Sequence, residues 1–289
     1  MTLRSVITRV VQNEDLNFLL TNRIPRSMAT RFMGWFSRLE SPWLCRASIA
    51  AWRLFANLDL SDAKQPRFRS LHECFIRELV DGARPICADE VVLVSPCDAI
   101  VGEYGQVDSG RVFQTKGFPY ALHDLLHDDQ LVSLLNEGIY VTLRITSSMY
   151  HRFHAPADCR VRQVTYISGD TWNVNPIALK RVERLFCKNE RAVVRLTLND
   201  NQSEIVIVPV AAILVAGIRL HCLDRVLDLS HRGANHFECD AMYRKGDEMG
   251  WFQHGSTIIA FAPKGFTIHS SIVTGKTLQM GEPLFARPR

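Results

Sequence analysis

The spacing of apolar side chains changes near residue 85. Upstream, Met28, Phe32, Trp35, Phe36 and Leu39 recur at helical intervals while Arg31 and Arg38 fall on the other side. Ser41-Pro42 ends that helix. A second helix is predicted over roughly Trp43 to Leu58, with Trp52 and Phe55 on its apolar side and Arg46 and Arg53 one heptad apart. Downstream of Arg84-Pro85 the texture becomes short β-rich runs separated by Gly, Asn, Asp and Pro: Glu90 to Ser95, Tyr140 to Ile145, Arg160 to Ile167, Ala192 to Leu198, Glu204 to Pro209, Ile213 to Ile218 and Thr257 to Phe261. Short helices are predicted at Tyr120–Leu126, Gln130–Leu135 and Ile177–Leu185. The pattern predicts an α+β fold, a mostly antiparallel β core domain carrying N-terminal amphipathic helices. The expected division is a helical membrane-surface segment over residues 1–85 and a β-rich catalytic domain over 86–289.

Charge sharpens this picture. Residues 1–60 hold eight arginines against four acidic residues, so the net charge of +4 is concentrated there. Arginine-bearing helices with Trp and Phe on the apolar side suit an anionic membrane surface, although packing against the rest of the protein accounts for the same periodicity. Nucleic acid is not expected, since the segment offers Arg without Lys and no binding motif. The longest apolar stretch, Val208 to Ile218, is about half the roughly 20 residues that a spanning helix needs, and the N-terminus lacks the apolar core of a signal peptide. Eight cysteines without a C-x-x-C pair indicate neither a zinc ribbon nor a disulfide framework, and reduced thiols in a cytoplasmic setting are expected.

Three clusters carry candidate chemistry. Tyr150-His151-Arg152-Phe153-His154-Ala155-Pro156 follows a predicted strand; its histidines diverge if the chain stays extended and converge if it turns. Ser95-Pro96-Cys97-Asp98 closes an apolar strand, where an acidic residue either forms a turn or orients a histidine. Gly255-Ser256-Thr257 abuts the strand Ile258 to Phe261, where the Ser256 hydroxyl could attack the carbonyl of Gly255 given a base and an oxyanion donor. No third ligand stands at a metal-binding distance from the histidine pair, so no metal is expected. A serine hydrolase would place its nucleophile in a Gly-x-Ser-x-Gly elbow, which Ser256 lacks.

Read in order, these clusters resemble phosphatidylserine decarboxylases of the bacterial and mitochondrial type. The resemblance is carried by Phe75-Ile76-Arg77-Glu78, Arg84-Pro85, Ser95-Pro96-Cys97-Asp98, Lys116-Gly117, Tyr150-His151-Arg152 with His154 and Pro156, Val174-Asn175-Pro176, Asn189-Glu190-Arg191, Val208-Pro209-Val210, and Lys245-Gly246 through Gly255-Ser256-Thr257. It implies self-cleavage between Gly255 and Ser256 into a large chain (1–255) and a small chain (256–289), with Ser256 becoming a covalent pyruvoyl cofactor. It also implies a relay in which Asp98 fixes the tautomer of His154 and His154 takes the Ser256 proton, with His151 as proton donor in the later chemistry. The implied reaction converts phosphatidylserine to phosphatidylethanolamine and CO₂ through a Schiff base on the pyruvoyl group. Implied partners are phosphatidylserine, an anionic phospholipid membrane and a second copy in a homodimer, and the implied location is peripheral on the cytoplasmic face of the bacterial inner membrane. A lipid-binding homologue that never matures is the alternative. The chain departs from the family pattern at Met149, where Asp is usual, at His254, where Leu is common, and at Ala99, where Gly is usual.

Overall fold

A computed structural model describes residues 13–115, 118–214, 217–233, 235–253 and 256–287. The N-terminal part is helical, with α1 (Glu14–Asn22), α2 (Arg26–Ser37), α3 (Pro42–Phe55) and α4 (Leu71–Phe75). Side chains of Asn13, Ser41 and Ser70 accept hydrogen bonds from the first-turn amides of α1, α3 and α4, satisfying donors that a helix start leaves open.

The strands that follow are β1 (Val92–Val94), β2 (Ala99–Gln106), β3 (Arg111–Phe113) and β4 (Pro119–Ala121). Two short helices, α5 (Leu122–Leu126) and α6 (Asp129–Leu135), lead into β5 (Ile139–Ile145), β6 (Arg152–His154) and β7 (Cys159–Ile167). After α7 (Pro176–Leu179) and α8 (Leu185–Lys188) come β8 (Arg191–Leu198), β9 (Glu204–Ala211), β10 (Ile218–Leu220), β11 (Arg225–Leu227), β12 (His236–Tyr243) and β13 (Glu248–Phe252). The chain closes with β14 (Ser256–Ala262), β15 (Thr267–Ile268), β16 (Thr277–Leu278) and β17 (Pro283–Ala286).

The organising element is an eight-stranded antiparallel sheet in the order β12-β7-β8-β9-β14-β5-β2-β16. Its middle strands are covered on both faces, which is why Ile205 to Ala211 and Ile258 to Ala262 read as nearly unbroken apolar runs. Alternate residues serve the two faces: Ile258 and Ala260 enter one cluster with Phe153, Ile218, Phe252 and Phe285, while Ile259 and Phe261 enter the other with Leu122, Leu125, Leu131 and Phe186. Helices α5 to α8 therefore cap one face, and the smaller sheets β11-β10-β13-β6 and β1-β17-β15 cap the opposite one.

The α+β reading holds, with two local corrections. The strand predicted over Ile213 to Ile218 does not include its first residues: Leu214 takes the left-handed conformation at φ 68°, β10 is described from Ile218, and residues 215 and 216 lie outside the described residues. The region predicted as a helix over Ile177–Leu185 forms α7 and the start of α8, separated by a turn in which Arg184 has φ 51°.

Helix α2 is turned opposite to an ordinary surface helix. Its buried residues are Thr30 and Ser37, and Thr30 Oγ1 accepts from the Leu214 amide at 3.1 Å. Met28, Phe32 and Trp35 are 69%, 59% and 60% exposed. Trp43 and Phe55 of α3 are exposed as well, with Arg23, Arg31, Arg46 and Arg53 exposed around them. Among the described residues no helix is long and apolar enough to cross a membrane.

Candidate active site

Ser256 opens β14, the centre of the large sheet, hydrogen-bonded between Ala211 of β9 and Ile145 of β5. It is fully buried, and among the described residues its Oγ has no hydrogen-bond partner. Such a group loses its hydration without replacement, at a cost of about 1–3 kcal/mol. It lies on the wall of a cavity of about 770 Å³ formed between the sheet end and helices α2, α3 and α4. The lining is mainly apolar, with Met33, Phe36, Trp52, Phe55 and Phe75 facing Ile145, Val174 and Ala212. Gly255 and His254, which carry the expected scissile bond and its neighbour, lie outside the described residues, as do Lys116 and Gly117.

Strand β6 is extended, so the two histidines diverge. It runs antiparallel to β13, with Arg152 opposite Trp251 and His154 opposite Glu248. Arg152 secures this pairing through both carboxylate oxygens of Glu248 at 2.9 and 2.8 Å. The carbonyl of His151 accepts from the Phe252 amide at 3.0 Å, so His151 stands beside the end of β13 that leads to Ser256. His154 stands beside the other end, four residues farther back, roughly 13 Å along an extended strand.

The histidine surroundings fix their tautomers. Nδ1 of His151 lies 2.8 Å from the Met149 carbonyl, which can only accept, so Nδ1 carries the proton and Nε2 is the basic nitrogen. Its ring packs 4.0 Å from the centroid of Phe75, which stacks on Trp52 at 5.5 Å; both aromatics line the Ser256 cavity. Nδ1 of His154 donates to the Gly246 carbonyl at 2.8 Å, and Nε2 accepts from the Tyr150 hydroxyl at 3.0 Å. Burial is the chief influence on His154 and pulls its pKa below the usual imidazole value, outweighing the Gly246 hydrogen bond and the charges of Glu248 and Asp98.

Asp98 does not touch His154. Its carboxylate is held by Arg84 through Nε at 2.9 Å and Nη2 at 2.6 Å, and it accepts from the Met280 amide at 2.9 Å. Arg84 also reaches Asp62 at 2.9 Å. The expected Asp98–His154 link is therefore replaced by a bidentate ion pair with a guanidinium 14 residues upstream, and Gly246 fixes the histidine tautomer instead. Neither histidine is hydrogen-bonded to Ser256 Oγ. Arg84 and the hydroxyl of Tyr150 join Asp98, His151, His154 and Ser256 at this site; both stand inside the motifs Arg84-Pro85 and Tyr150-His151-Arg152, but nothing local in the sequence assigns them a partner.

One further buried acid shares this region. Glu190 is fully buried beside the Tyr166 hydroxyl, which donates to the Asp228 carbonyl at 2.9 Å; desolvation, then the charge of Asp228, push the Glu190 pKa up to about 8 against the lowering influence of Tyr166. Its carbonyl accepts from the Ala211 amide at 2.8 Å, and Ala211 is the partner of Ser256, so Glu190 and Ser256 stand two strands apart in one row. Among the described residues no cluster of His, Cys, Asp and Glu is arranged to hold a metal ion, and all eight cysteines are free.

Comparison with known proteins agrees with the resemblance to this family. The family model described as phosphatidylserine decarboxylase matches residues 71–286. A phosphatidylserine decarboxylase proenzyme of Aliivibrio salmonicida (strain LFI1238) is 32% identical over 282 residues, covering 94% of this chain and 98% of that one. Proenzymes of the same name from Saccharophagus degradans and Vibrio cholerae are 31% and 32% identical over 277 and 273 residues, covering 93% and 90% of this chain and 96% and 94% of theirs. With the family model spanning most of the sheet, and relatives similar along nearly their whole length, this chain belongs to the phosphatidylserine decarboxylase family.

Proposed function

We propose that the chain is a self-processing phosphatidylserine decarboxylase working at a membrane surface, and that residue 256 supplies its reactive group. The observation that carries this reading is the Ser256 hydroxyl, wholly buried and, among the described residues, unpartnered at the head of the central strand, on the wall of a largely apolar cavity. Conversion of Ser256 to a pyruvoyl ketone removes a hydroxyl oxygen that no described residue bonds, so that the side-chain part of the change forfeits no hydrogen bond. When present, that carbonyl supplies what no ordinary side chain can, an acceptor for the electron pair left as CO₂ departs.

In processing, Ser256 Oγ attacks the Gly255 carbonyl as His151 Nε2 takes its proton. The Gly255–Ser256 C–N bond breaks as the nitrogen receives a proton, leaving an ester; elimination then expels the Gly255 carboxylate with loss of the Ser256 α-proton, and water replaces the nitrogen, released as ammonia, to give the ketone. The position of His151 beside Phe252 favours it as base over His154, which reverses the roles expected from the resemblance. His154 and Asp98 then act as positioning residues: His154 ties Tyr150 to Gly246, and Asp98 ties Arg84 to Met280. The low-polarity walls contributed by Phe75, Trp52 and Phe36 exclude water from the reacting centre.

The outward apolar side of α2, with Trp43 and Phe55 of α3, is the surface that meets the bilayer. Docking there leaves the acyl chains in the membrane, whereas extraction into water costs about 0.8 kcal/mol per exposed CH₂. The exposed arginines face anionic lipid, and in a bacterial cell the cytoplasmic face of the inner membrane presents it. Release of labelled CO₂ from carboxyl-labelled phosphatidylserine in mixed vesicles tests the proposal. Wild-type protein should release it and Ser256→Ala should not; no release from a folded, vesicle-bound wild type would leave a lipid-binding homologue in its place.

A further inference from the structure

The Ser256 cavity contains a charge that the fold leaves uncompensated. Of the described residues lining it, only Arg144 is ionised. Arg144 lies on β5 opposite Thr257, one residue before Ile145, the partner of Ser256. Among the described residues its guanidinium has neither hydrogen bond nor ion pair, and desolvation is the sole influence on its titration. Other half-buried or buried arginines are treated differently. Arg26, Arg84, Arg152 and Arg195 each hold a carboxylate, and Arg191 donates to the carbonyls of Asp124, Leu125, Cys187 and Asn189.

Arg144 is half-buried, none of its guanidinium nitrogens is among the fully buried unpartnered atoms, and it stays charged. A cation with no protein partner among the described residues, reachable from a largely apolar cavity and partly stripped of water, is placed to receive an anion. Phosphatidylserine offers two anions, its phosphodiester and its α-carboxylate. The carboxylate must give up its charge as CO₂ leaves, so a cation fixed on it would stabilise the ground state more than the transition state. The phosphodiester keeps its charge throughout, and holding it anchors the head group without raising the barrier. A planar fork of N–H donors also matches two phosphate oxygens at once.

We propose that Arg144 is the phosphodiester-binding residue of the Ser256 cavity, anchoring the head group while its serine amine reaches residue 256. The inference rests on the decarboxylase reading above for the identity of the ligand, though the anion site itself can be tested without turnover.

The test is calorimetric titration of the full chain carrying Ser256→Ala, so that no chemistry at residue 256 intervenes, with three soluble probes. Glycerophosphoserine carries phosphodiester and carboxylate, glycerophosphoethanolamine carries the phosphodiester alone, and L-serine carries the carboxylate alone. Adding Arg144→Gln should weaken both glycerophosphodiesters by about 10- to 100-fold, the size expected for charged hydrogen bonds, and leave L-serine unchanged. Arg144→Lys should retain most of the affinity, and it serves as the test variant should thermal melting show Arg144→Gln unfolded. Unchanged glycerophosphodiester binding in Arg144→Gln, or a loss confined to carboxylate-bearing probes, would overturn the assignment. If Arg144-dependent binding appears while the wild-type chain releases no CO₂ from vesicles, the decarboxylase reading fails and the anion site stands.

Discussion

Arg84 grips the Asp98 carboxylate with two nitrogens, Nε at 2.9 Å and Nη2 at 2.6 Å, and both side chains are close to nine-tenths buried. The pair joins the segment after α4 to the turn that ends β1, and through Met280 to the C-terminal strands. Breaking one half of a buried pair strands the other charge. Arg84→Met should therefore cost about 3–5 kcal/mol in urea unfolding. Pairing it with Asp98→Leu should recover a large part of that loss, because the uncompensated carboxylate is gone; a double variant as unstable as the single one would place the loss in packing.

The two histidines should separate in a cleavage assay. With His151 as base, His151→Gln should slow processing by about 10²- to 10⁴-fold, the range of general base catalysis. His154→Gln should slow it by less than about tenfold and should lower stability, since it removes the partner of Tyr150 and Gly246. Time courses of precursor on denaturing gels decide the matter, and the reverse order would return the base to His154.

The residues of this site were legible in the sequence, but their connections were not. Asp98, His151, His154 and Ser256 stand in short motifs whose order is distinctive, yet nothing local says that Asp98 chooses Arg84 over a histidine. Which partner wins depends on how residues 58–85 lie across the sheet, a tertiary fact. Helix α2 illustrates the same limit. Its period was plain, but periodicity alone does not tell which side meets the protein, and here the small polar residues Thr30 and Ser37 do. Strand β2, with Gly102 and Gly105, and strand β12, with Glu238 and Asp240, gave no apolar run to find. Both are stabilised by pairing with neighbours distant in sequence, β2 with β5 and β12 with β7.

Glu190 should make stability depend on pH in an unusual direction. An acid held protonated up to about 8 binds a proton in the native chain that the unfolded chain has released above about 4.5, so its contribution falls as pH rises between those values. His154, neutral by burial, acts oppositely: below about 6.5 the unfolded chain takes up a proton that the native chain resists, so stability falls toward acid pH. Glu190→Gln isolates the first effect. Its unfolding free energy in urea should nearly match wild type at pH 5 and exceed it at pH 9, by at most about 5 kcal/mol. An equal shift at both pH values would mean that Glu190 ionises normally.

Membrane attachment should need both chemical parts of the helical segment. Replacing exposed Trp35 and Trp43 by Ser removes apolar burial worth roughly 1.5–3 kcal/mol per side chain and should weaken vesicle binding at any salt. Replacing Arg31, Arg46 and Arg53 by Gln removes about 1 kcal/mol each near an anionic surface, so the roughly 100-fold loss expected at low salt should shrink as salt rises. Co-sedimentation with phosphatidylserine-containing and neutral vesicles measures both effects; binding that neither set alters would remove α2 and α3 as the docking surface.

The most direct measurement is the denaturing intact mass of the full chain beside that of Ser256→Ala. Self-processing at Gly255–Ser256 requires the wild type to resolve into a 1–255 chain and a 256–289 chain whose N-terminus is a pyruvoyl group, with the variant remaining whole. A single uncleaved mass for the folded wild type in the presence of membranes would contradict the assignment of Ser256 as the source of the reactive group.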